Sequence, residues 1–125
     1  MAAKEKILVV DNETDQLEMI REILQRMGYE VQTTDSPQRA VEMVRKVDFR
    51  VIFIDLIMPE IDGTELCEQI KRVRPAVAIY AYSGHAHLYS SEQLRRVGFQ
   101  GTITKPATMS EIQAAIGQAI DLQPG

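Results

Sequence analysis

The sequence predicts a doubly wound (βα)5 fold of the α/β class, with a five-stranded parallel sheet in the order 2-1-3-4-5. Two observations predict it. Five short apolar runs alternate with five amphipathic stretches, and most of the apolar runs are continuous, as in strands that are buried on both faces. Right-handed crossovers between parallel strands then place helices on both sides of the sheet, and 2-1-3-4-5 is a common order for five such strands.

The predicted strands are rich in β-branched residues, which suit a buried pleated surface. They cover residues 7–10, 30–34, 51–54, 77–82 and 101–104. Between them, apolar residues recur three or four positions apart, the spacing of one helix face, and each such stripe is expected to pack on the sheet. The stripes are Leu17, Ile20, Leu24 and Met27; Ala40, Val41, Val44 and Val47; Leu66, Ile70 and Val73; and Ile112, Ala115, Ile116, Ala119 and Ile120.

Residues that satisfy the free backbone groups of a helix mark the helix ends. Ser36 before Pro37 marks one N-terminus, and Gly28 and Gly98 can end helices in the left-handed conformation. Four further pairs have the spacing of a capping box: Asp15 with Glu18, Asp62 with Glu65, Ser90 with Gln93, and Thr108 with Glu111. These signals agree on one flavodoxin-like sandwich, expected to span residues 1–125 as a single domain.

The composition is that of a compact domain. The chain has 125 residues, of which 45% are apolar, so it can bury a substantial core. The formal charge of −4 gives no sign of a positively charged surface, so direct nucleic-acid binding is not expected.

The start MAAKEK lacks the apolar segment of a secretory signal, and no apolar run reaches the roughly 20 residues of a membrane span, so we expect a cytoplasmic location without membrane association. The single cysteine, Cys67, excludes an internal disulfide and is expected to be packed.

Polar residues follow four of the predicted strands. They are Asp11 after the first strand, Asp55 after the third, Ser83 after the fourth and Lys105 after the fifth. In this strand order, the chain leaves the neighbouring first and third strands in opposite directions, which opens a crevice at their carboxyl ends. A single Asp after a strand is usually a turn residue. The joint placement of four such residues at four strand ends instead indicates a site.

These residue types suit phosphoryl transfer to a carboxylate. Mg²⁺ prefers octahedral sites built from one or two carboxylates, waters and a phosphate, and Asp11 and Asp55 supply two carboxylates. Lysine can pair with a phosphoryl group as a point charge, and a serine hydroxyl can donate to one of its oxygens. We therefore expect Asp55 to act as the nucleophile, with Mg²⁺ or Mn²⁺ as the cofactor.

Four segments resemble the receiver domains of two-component response regulators, of the chemotaxis type, and together they extend over essentially the whole chain. The segments are ILVVD at residues 7–11, DLIMPEIDG at residues 55–63, Ser83-Gly84 and Lys105-Pro106. The resemblance implies a phosphorylation switch of a phosphorelay. In such a switch, a histidine kinase or a histidine phosphotransfer protein presents phosphohistidine, Asp55 accepts the phosphoryl group, and a downstream effector protein or domain responds.

The resemblance also implies roles for individual residues. The implied metal ligands are Asp11, Asn12, Asp55 and the backbone carbonyl of Ile57. The implied phosphate-binding residues are Ser83, Gly84 and Lys105, and Gly84 would leave the phosphoacceptor open to its donor. His85, two residues after the hydroxyl residue, would tune the lifetime of the phosphate. Family members often dimerise through the fourth and fifth helices, which makes such a homodimer one of the implied states.

The sequence departs from the family pattern at two positions. Asn12 stands where members usually carry a second acid that contacts the metal, so we expect a weakened magnesium site rather than an absent one. Thr102 stands where members often carry a Tyr or Phe that reports the phosphorylated state. Tyr82, beside Ser83, is a candidate for a replacement reporter.

Three alternatives compete with the phosphoacceptor. A phosphohydrolase of the haloacid dehalogenase kind would need a general acid at the position of Ile57, which cannot transfer a proton. A nucleotide-binding module would need glycines after the first strand, and residues 11–17 contain none. The remaining alternative is a pseudo-receiver, an interaction module regulated without phosphorylation. No conventional turnover is expected beyond self-phosphorylation and autodephosphorylation at Asp55.

Overall fold

The computed structural model describes residues 4–84 and 86–122. Its core is one parallel sheet of five strands in the order β2-β1-β3-β4-β5, as the sequence predicts. The strands are β1 (Lys6–Val10), β2 (Glu30–Thr34), β3 (Val51–Ile54), β4 (Ala78–Ser83) and β5 (Gly101–Thr104). The helices are α1 (Thr14–Arg26), α2 (Pro37–Lys46), α3 (Gly63–Val73), α4 (Ser91–Val97) and α5 (Met109–Leu122), and a short 3₁₀ helix covers Ala86–Leu88.

The sheet separates two apolar cores, as a doubly wound fold requires. Alternate residues of β3 show the division: Ile52 and Ile54 belong to the core under α2, α3 and α4, while Val51 and Phe53 belong to the core under α1 and α5. All four β3 residues are fully buried, which explains why this strand is apolar without interruption. The predicted helical stripes are therefore the faces that pack on the sheet.

Most predicted helix ends are confirmed. Ser36 accepts a hydrogen bond from the amide of Arg39 at 3.2 Å, and Ser90 with Gln93 forms a complete capping box. Gly28 and Gly98 have the left-handed φ values of 97° and 119°. The further predicted caps at Asp62 and Thr108 also accept backbone hydrogen bonds.

Three local predictions are wrong. The first strand begins at Lys6, one residue before its predicted start at Ile7. Asp15 does not cap α1, because the helix begins at Thr14 with Glu13 as its N-cap, two residues earlier than a cap at Asp15 predicts. The fourth strand covers Ala78–Ser83 rather than residues 77–82. Ser83 is its last residue because it pairs with Thr104 of β5, so Ser83 ends the strand and does not follow it.

Two further expectations concern Cys67 and the membrane. Cys67 is fully buried in α3, and burial raises the pKa of its thiol to about 12, so the side chain is packed and unreactive as expected. Within the described part of the chain, none of the helices has the length and apolar content needed to cross a bilayer.

Candidate functional site

The register of the sheet places Asp11 and Asp55 side by side. Val10 of β1 lies opposite Ile54 of β3, and the amide of Asp55 donates to the carbonyl of Val10 at 2.9 Å. Each aspartate is the first residue after its strand, so both enter the crevice at the carboxyl edge of the sheet. Both are buried, with 1% of Asp11 and 5% of Asp55 exposed.

The two carboxylates are held in the same way. Oδ1 of Asp11 accepts the amide of Glu13 at 3.0 Å, and Oδ1 of Asp55 accepts the amide of Ile57 at 3.4 Å. Each aspartate therefore uses one oxygen to fix its own turn, as short side chains do after strands. The second oxygen of each carboxylate, Oδ2, remains directed at Lys105.

Lys105 links the two acids. Its Nζ donates to Oδ2 of Asp11 in a direct ion pair and lies 3.8 Å from Oδ2 of Asp55. The side chain of Lys105 is only 11% exposed, so this ammonium has left most of its water shell. The amide of Lys105 donates to the carbonyl of Ser83 at 3.2 Å, and the peptide bond to Pro106 is cis.

The electrostatics of Asp55 reflect opposing effects. Burial is the largest effect on the pKa of Asp55 and raises it, and the charge of Asp11 raises it further. The hydroxyl of Ser83, the charge of Lys105 and the amide of Ile57 all lower the pKa, but the net pKa of Asp55 lies above its ordinary value of 3.8. The buried Ser83 thus contacts the carboxylate that the sequence predicts as the phosphoacceptor.

The other predicted site residues lie around this pair. Asn12 is exposed beside Asp11, and Ile57 is 41% exposed beside Asp55. Gly84 is exposed, and among the described residues other than its chain neighbours a Cβ added there would meet no atom within 4 Å. His85 lies outside the described residues, so its predicted tuning role is not tested.

The oxygen atoms of the crevice fit a hard divalent cation that keeps several waters. Two buried carboxylates, the amide of Asn12 and the carbonyl of Ile57 are oxygen donors of the kind that Mg²⁺ accepts. No group of three or more His, Cys, Asp or Glu side chains is placed to hold a metal among residues 4–84 and 86–122. The protein ligands would therefore be two carboxylates and neutral oxygens, and a cation must compete with the ammonium of Lys105.

Thr102 and Tyr82 lie on opposite faces of the sheet. Thr102 borders a groove of about 260 Å³ along α4. Tyr82 packs with the core under α1 and α5, and Lys105 Nζ lies over its ring, 5.2 Å from the centroid. Tyr82 therefore cannot replace an aromatic residue at position 102 by filling the same space, and its route to the site is Lys105.

The sequence reasoning missed two contacts at the rim of the crevice. Tyr89 donates its hydroxyl to Oδ2 of Asp62 at 2.7 Å. Gly63 approaches the backbone that follows β3, and a Cβ on it would lie 2.3 Å from the carbonyl oxygen of Asp55. The glycine of the DG pair was a visible signal, whereas nothing in the local sequence relates Tyr89 to a residue 27 positions earlier.

Comparison with known proteins gives matches over most of the chain. A family model, Response regulator receiver domain, matches residues 7–117. The response regulator receiver protein Anae109_2439 of Anaeromyxobacter sp. (strain Fw109-5) is 31% identical over 107 residues, which are 86% of this chain and 45% of that protein. The transcriptional regulatory protein ZraR of Escherichia coli (strain K12) is 26% identical over 114 residues, which are 91% of this chain and 26% of that protein.

The fold is also similar to that of solved structures. The crystal structure of a CheY-like response regulator receiver domain protein from Methanospirillum hungatei JF-1 has a TM-score of 0.89 and 27% sequence identity, and the match covers 95% of each chain. This chain spans between about a quarter and a half of the length of the two relatives named above.

Proposed function

This chain belongs to the family of response regulator receiver domains of two-component systems, and from that premise we propose that Asp55 is the phosphoacceptor of a Mg²⁺-dependent phosphorylation switch. The observation that carries the proposal is the pair of buried carboxylates, Asp11 and Asp55, joined by the ammonium of Lys105. A buried cluster of this kind is costly to maintain, since two like charges and an ammonium are removed from water together.

Asp55 is oriented for nucleophilic attack. Its Oδ1 is held by the amide of Ile57, so Oδ2 is the oxygen that faces the crevice. In the proposed step, this oxygen bonds to the phosphorus of a phosphohistidine while the bond from phosphorus to the imidazole nitrogen breaks. The electron pair of that bond stays on the imidazole nitrogen, and the ring is a good leaving group when its other nitrogen carries a proton.

Lys105 and Ser83 would receive the transferred group. Lys105 Nζ already lies 3.8 Å from Asp55, and the Ser83 hydroxyl already contacts the same carboxylate. Both can turn their hydrogen atoms to phosphoryl oxygens without a change in the backbone. A magnesium ion, held by Asp11, Asn12, Asp55 and the carbonyl of Ile57, would neutralise the charge that builds up on the phosphoryl oxygens.

Partners follow from the same proposal. The donor is a histidine kinase or a histidine phosphotransfer protein, and the receiver passes its state to an effector protein or domain. The crevice opens beside exposed Gly84, which itself brings no side chain into the path of a donor.

A single labelling experiment tests the proposal. The protein is incubated with Mg²⁺ and acetyl phosphate, and the intact mass is measured. We expect the mass of one added phosphoryl group in the wild type and in Asp48→Asn, an exposed aspartate near the opposite end of the sheet, but not in Asp55→Asn. Phosphorylation that survives Asp55→Asn would refute the assignment.

One observation favours a second candidate, the pseudo-receiver. Asn12 stands where the family pattern has a second acid, and the ammonium of Lys105 already pairs with Asp11 and lies 3.8 Å from Asp55. A pseudo-receiver would show no mass increase with several phosphodonors, and neither Mg²⁺ nor Asp55→Asn would change its affinity for an effector.

A further inference from the structure

Lys105 has an aromatic partner in addition to its two carboxylates. Its Nζ lies over the ring of Tyr82, 5.2 Å from the centroid, within the range in which a cation is attracted by the face of an aromatic ring. The side chain of Lys105 is only 11% exposed. Because the ammonium has lost most of its hydration, the attraction is stronger than that of an exposed pair.

The ring of Tyr82 is held in place by its contacts with the sheet and the core. It meets Phe53 of β3 edge-on, with the centroids 6.1 Å apart and the planes at 70°, and it packs against the core under α1 and α5. Such tilted aromatic pairs are favourable and hold both rings in place. Tyr82 is therefore a fixed surface on which the end of Lys105 rests.

Metal binding and the resting position of Lys105 are in competition. The ammonium contacts Oδ2 of Asp11 directly and lies 3.8 Å from Oδ2 of Asp55. Oδ1 of Asp11 already accepts the backbone amide of Glu13, so Oδ2, which carries the ion pair with Lys105, is the oxygen of Asp11 that a divalent cation would use. Lys105 must therefore leave Asp11 before a metal can use this oxygen.

The space around Tyr82 provides a destination for the displaced ammonium. A groove of about 260 Å³ runs between α1 and the segment after β5, and its lining includes Tyr82, Lys105, Pro106 and Met19. An ammonium that moves toward the ring face keeps a favourable partner without occupying a carboxylate oxygen. The cost of displacing Lys105 by a metal is lowered accordingly.

We propose that Tyr82 is a positioning residue that holds the ammonium of Lys105 when a divalent cation takes Asp11, and that it thereby sets the metal affinity of the crevice. The inference deepens the proposed function and rests on its metal site. Tyr82 would act on the site through its contact with Lys105, and it lies on the face of the sheet opposite Thr102. The hydroxyl group of Tyr82 is not required, since the ring face is the binding element.

A double-mutant cycle on the whole chain tests this inference, with the dissociation constant for Mg²⁺ measured by calorimetry. We expect Tyr82→Leu to weaken Mg²⁺ binding by about two- to fivefold, because the ring contact already exists in the resting position and only the part gained on displacement enters the metal affinity. In the Lys105→Met background the same substitution should leave the affinity unchanged, because no ammonium needs a new position. Tyr82→Phe should restore the affinity, since the face of phenylalanine also attracts a cation.

A second measurement needs neither metal nor phosphorylation. The ring current of Tyr82 should shift the Hε resonances of Lys105 upfield in the wild type and in Tyr82→Phe, but not in Tyr82→Leu. Equal effects of Tyr82→Leu on Mg²⁺ binding with and without Lys105 would overturn the inference, as would the absence of the upfield shift. A wild type that binds no Mg²⁺ overturns both the inference and the proposed switch, whereas an intact double-mutant coupling with no labelling of Asp55 overturns the switch alone.

Discussion

The hydroxyl of Tyr89 donates a 2.7 Å hydrogen bond to Oδ2 of Asp62, which joins the segment between β4 and α4 to the start of α3. Oδ1 of the same carboxylate accepts the amide and the hydroxyl of Thr64 at 2.8 and 2.9 Å. One aspartate thus caps a helix and anchors the segment that follows Ser83. Burial acts to raise the pKa of Asp62, but these hydrogen bonds outweigh it, so the pKa lies below its ordinary value of 3.8.

We expect Tyr89→Phe to lower the free energy of unfolding by about 0.5 kcal/mol near neutral pH. This value is below the usual range for a hydrogen bond to a charged group, because Asp62 is exposed and solvent screens its charge. Since the folded pKa of Asp62 is lowered, its stabilising contribution is present above pH 3.8 and is lost as the pH falls through the folded value. Urea unfolding of both proteins across this range measures the difference.

In alkaline solution, the contribution of Tyr89 to stability changes with pH in the opposite direction. Tyr80→Phe is the control for the acid range. The hydrogen bond to Asp62 raises the pKa of Tyr89 to about 12, so its contribution is complete below the ordinary value of 10 and is lost between the two values. Tyr80 donates to the side-chain oxygen of Gln118 at 3.3 Å, a neutral acceptor, so the cost of Tyr80→Phe should not change in the acid range. If the loss of unfolding free energy in Tyr89→Phe also stays constant across the acid range, the hydrogen bond from Tyr89 to the ionised Asp62 is contradicted.

A second prediction concerns the close approach of Gly63 to the backbone of Asp55 and Leu56, directly after β3. A Cβ on Gly63 would lie 2.3 Å from the carbonyl oxygen of Asp55 and 2.7 Å from Cα of Leu56, and backbone atoms cannot move away as a flexible side chain can. We expect Gly63→Ala to destabilise the fold by about 2 kcal/mol and to displace Asp55, which slows its phosphorylation. Chemical unfolding and the labelling rate with acetyl phosphate measure the two effects.

Gly117 provides the matched control. It lies in α5, is exposed, and a Cβ there would meet no atom within 4 Å. Because alanine is the better helix former, Gly117→Ala should stabilise the protein by up to about 1 kcal/mol and leave labelling unchanged. Equal stabilities for the two alanine variants would show that the approach at Gly63 is not restrictive.

The sheet was predictable because each strand is marked by its own run of apolar and β-branched residues. Strands β2, β3 and β5 begin and end where the sequence places them, since their β-branched runs are bounded by turn residues. Helix α4 was harder to predict, because it has seven residues and buries only Leu94. Only its cap residues, Ser90 and Gly98, marked it in the sequence.

The sequence predicted which residues come together at the site, but it did not predict their side-chain contacts. Strand order and register bring Asp11, Asp55 and Lys105 together, and the position of each at a strand end was visible. The placement of Lys105 over Tyr82 was not visible, because it depends on a side-chain conformation and on the alternation of faces in β4. The one-residue shift at Ser83 has the same origin, since cross-strand pairing with Thr104 decides where β4 ends.

A third prediction follows from the raised pKa of Asp55. A folded pKa above 3.8 means that ionisation of Asp55 opposes folding, so its contribution is favourable at low pH and is lost as the pH rises through the folded value. Asp55→Asn removes a buried charge that repels Asp11. We therefore expect this variant to be more stable than the wild type near neutral pH by about 1 kcal/mol, with a smaller difference in acid. Thermal unfolding across this pH range measures it.

Asp11→Asn should have the opposite effect. Asp11 is the direct ion-pair partner of Lys105, and the other carboxylate lies 3.8 Å from the ammonium, so the substitution leaves a buried cation with a weaker partner. Removal of one member of a buried pair costs about 3 kcal/mol. A loss of stability in Asp55→Asn as large as that in Asp11→Asn would contradict the division of roles between the two acids.

A fourth prediction concerns Asn12, the exposed amide beside Asp11. Two unit charges about 4 Å apart interact by roughly 4 kcal/mol at an effective dielectric of 20, and hydration offsets much of this gain. We therefore expect Asn12→Asp to tighten Mg²⁺ binding by about tenfold, which is about 1.4 kcal/mol, as measured by calorimetry. Glu13→Gln is the control, since the side chain of Glu13 is exposed and its backbone amide, not its carboxylate, contacts Asp11. This control should leave the affinity nearly unchanged. A larger effect from Glu13→Gln than from Asn12→Asp would mean that Glu13 supplies the missing carboxylate and that Asn12 lies away from the metal.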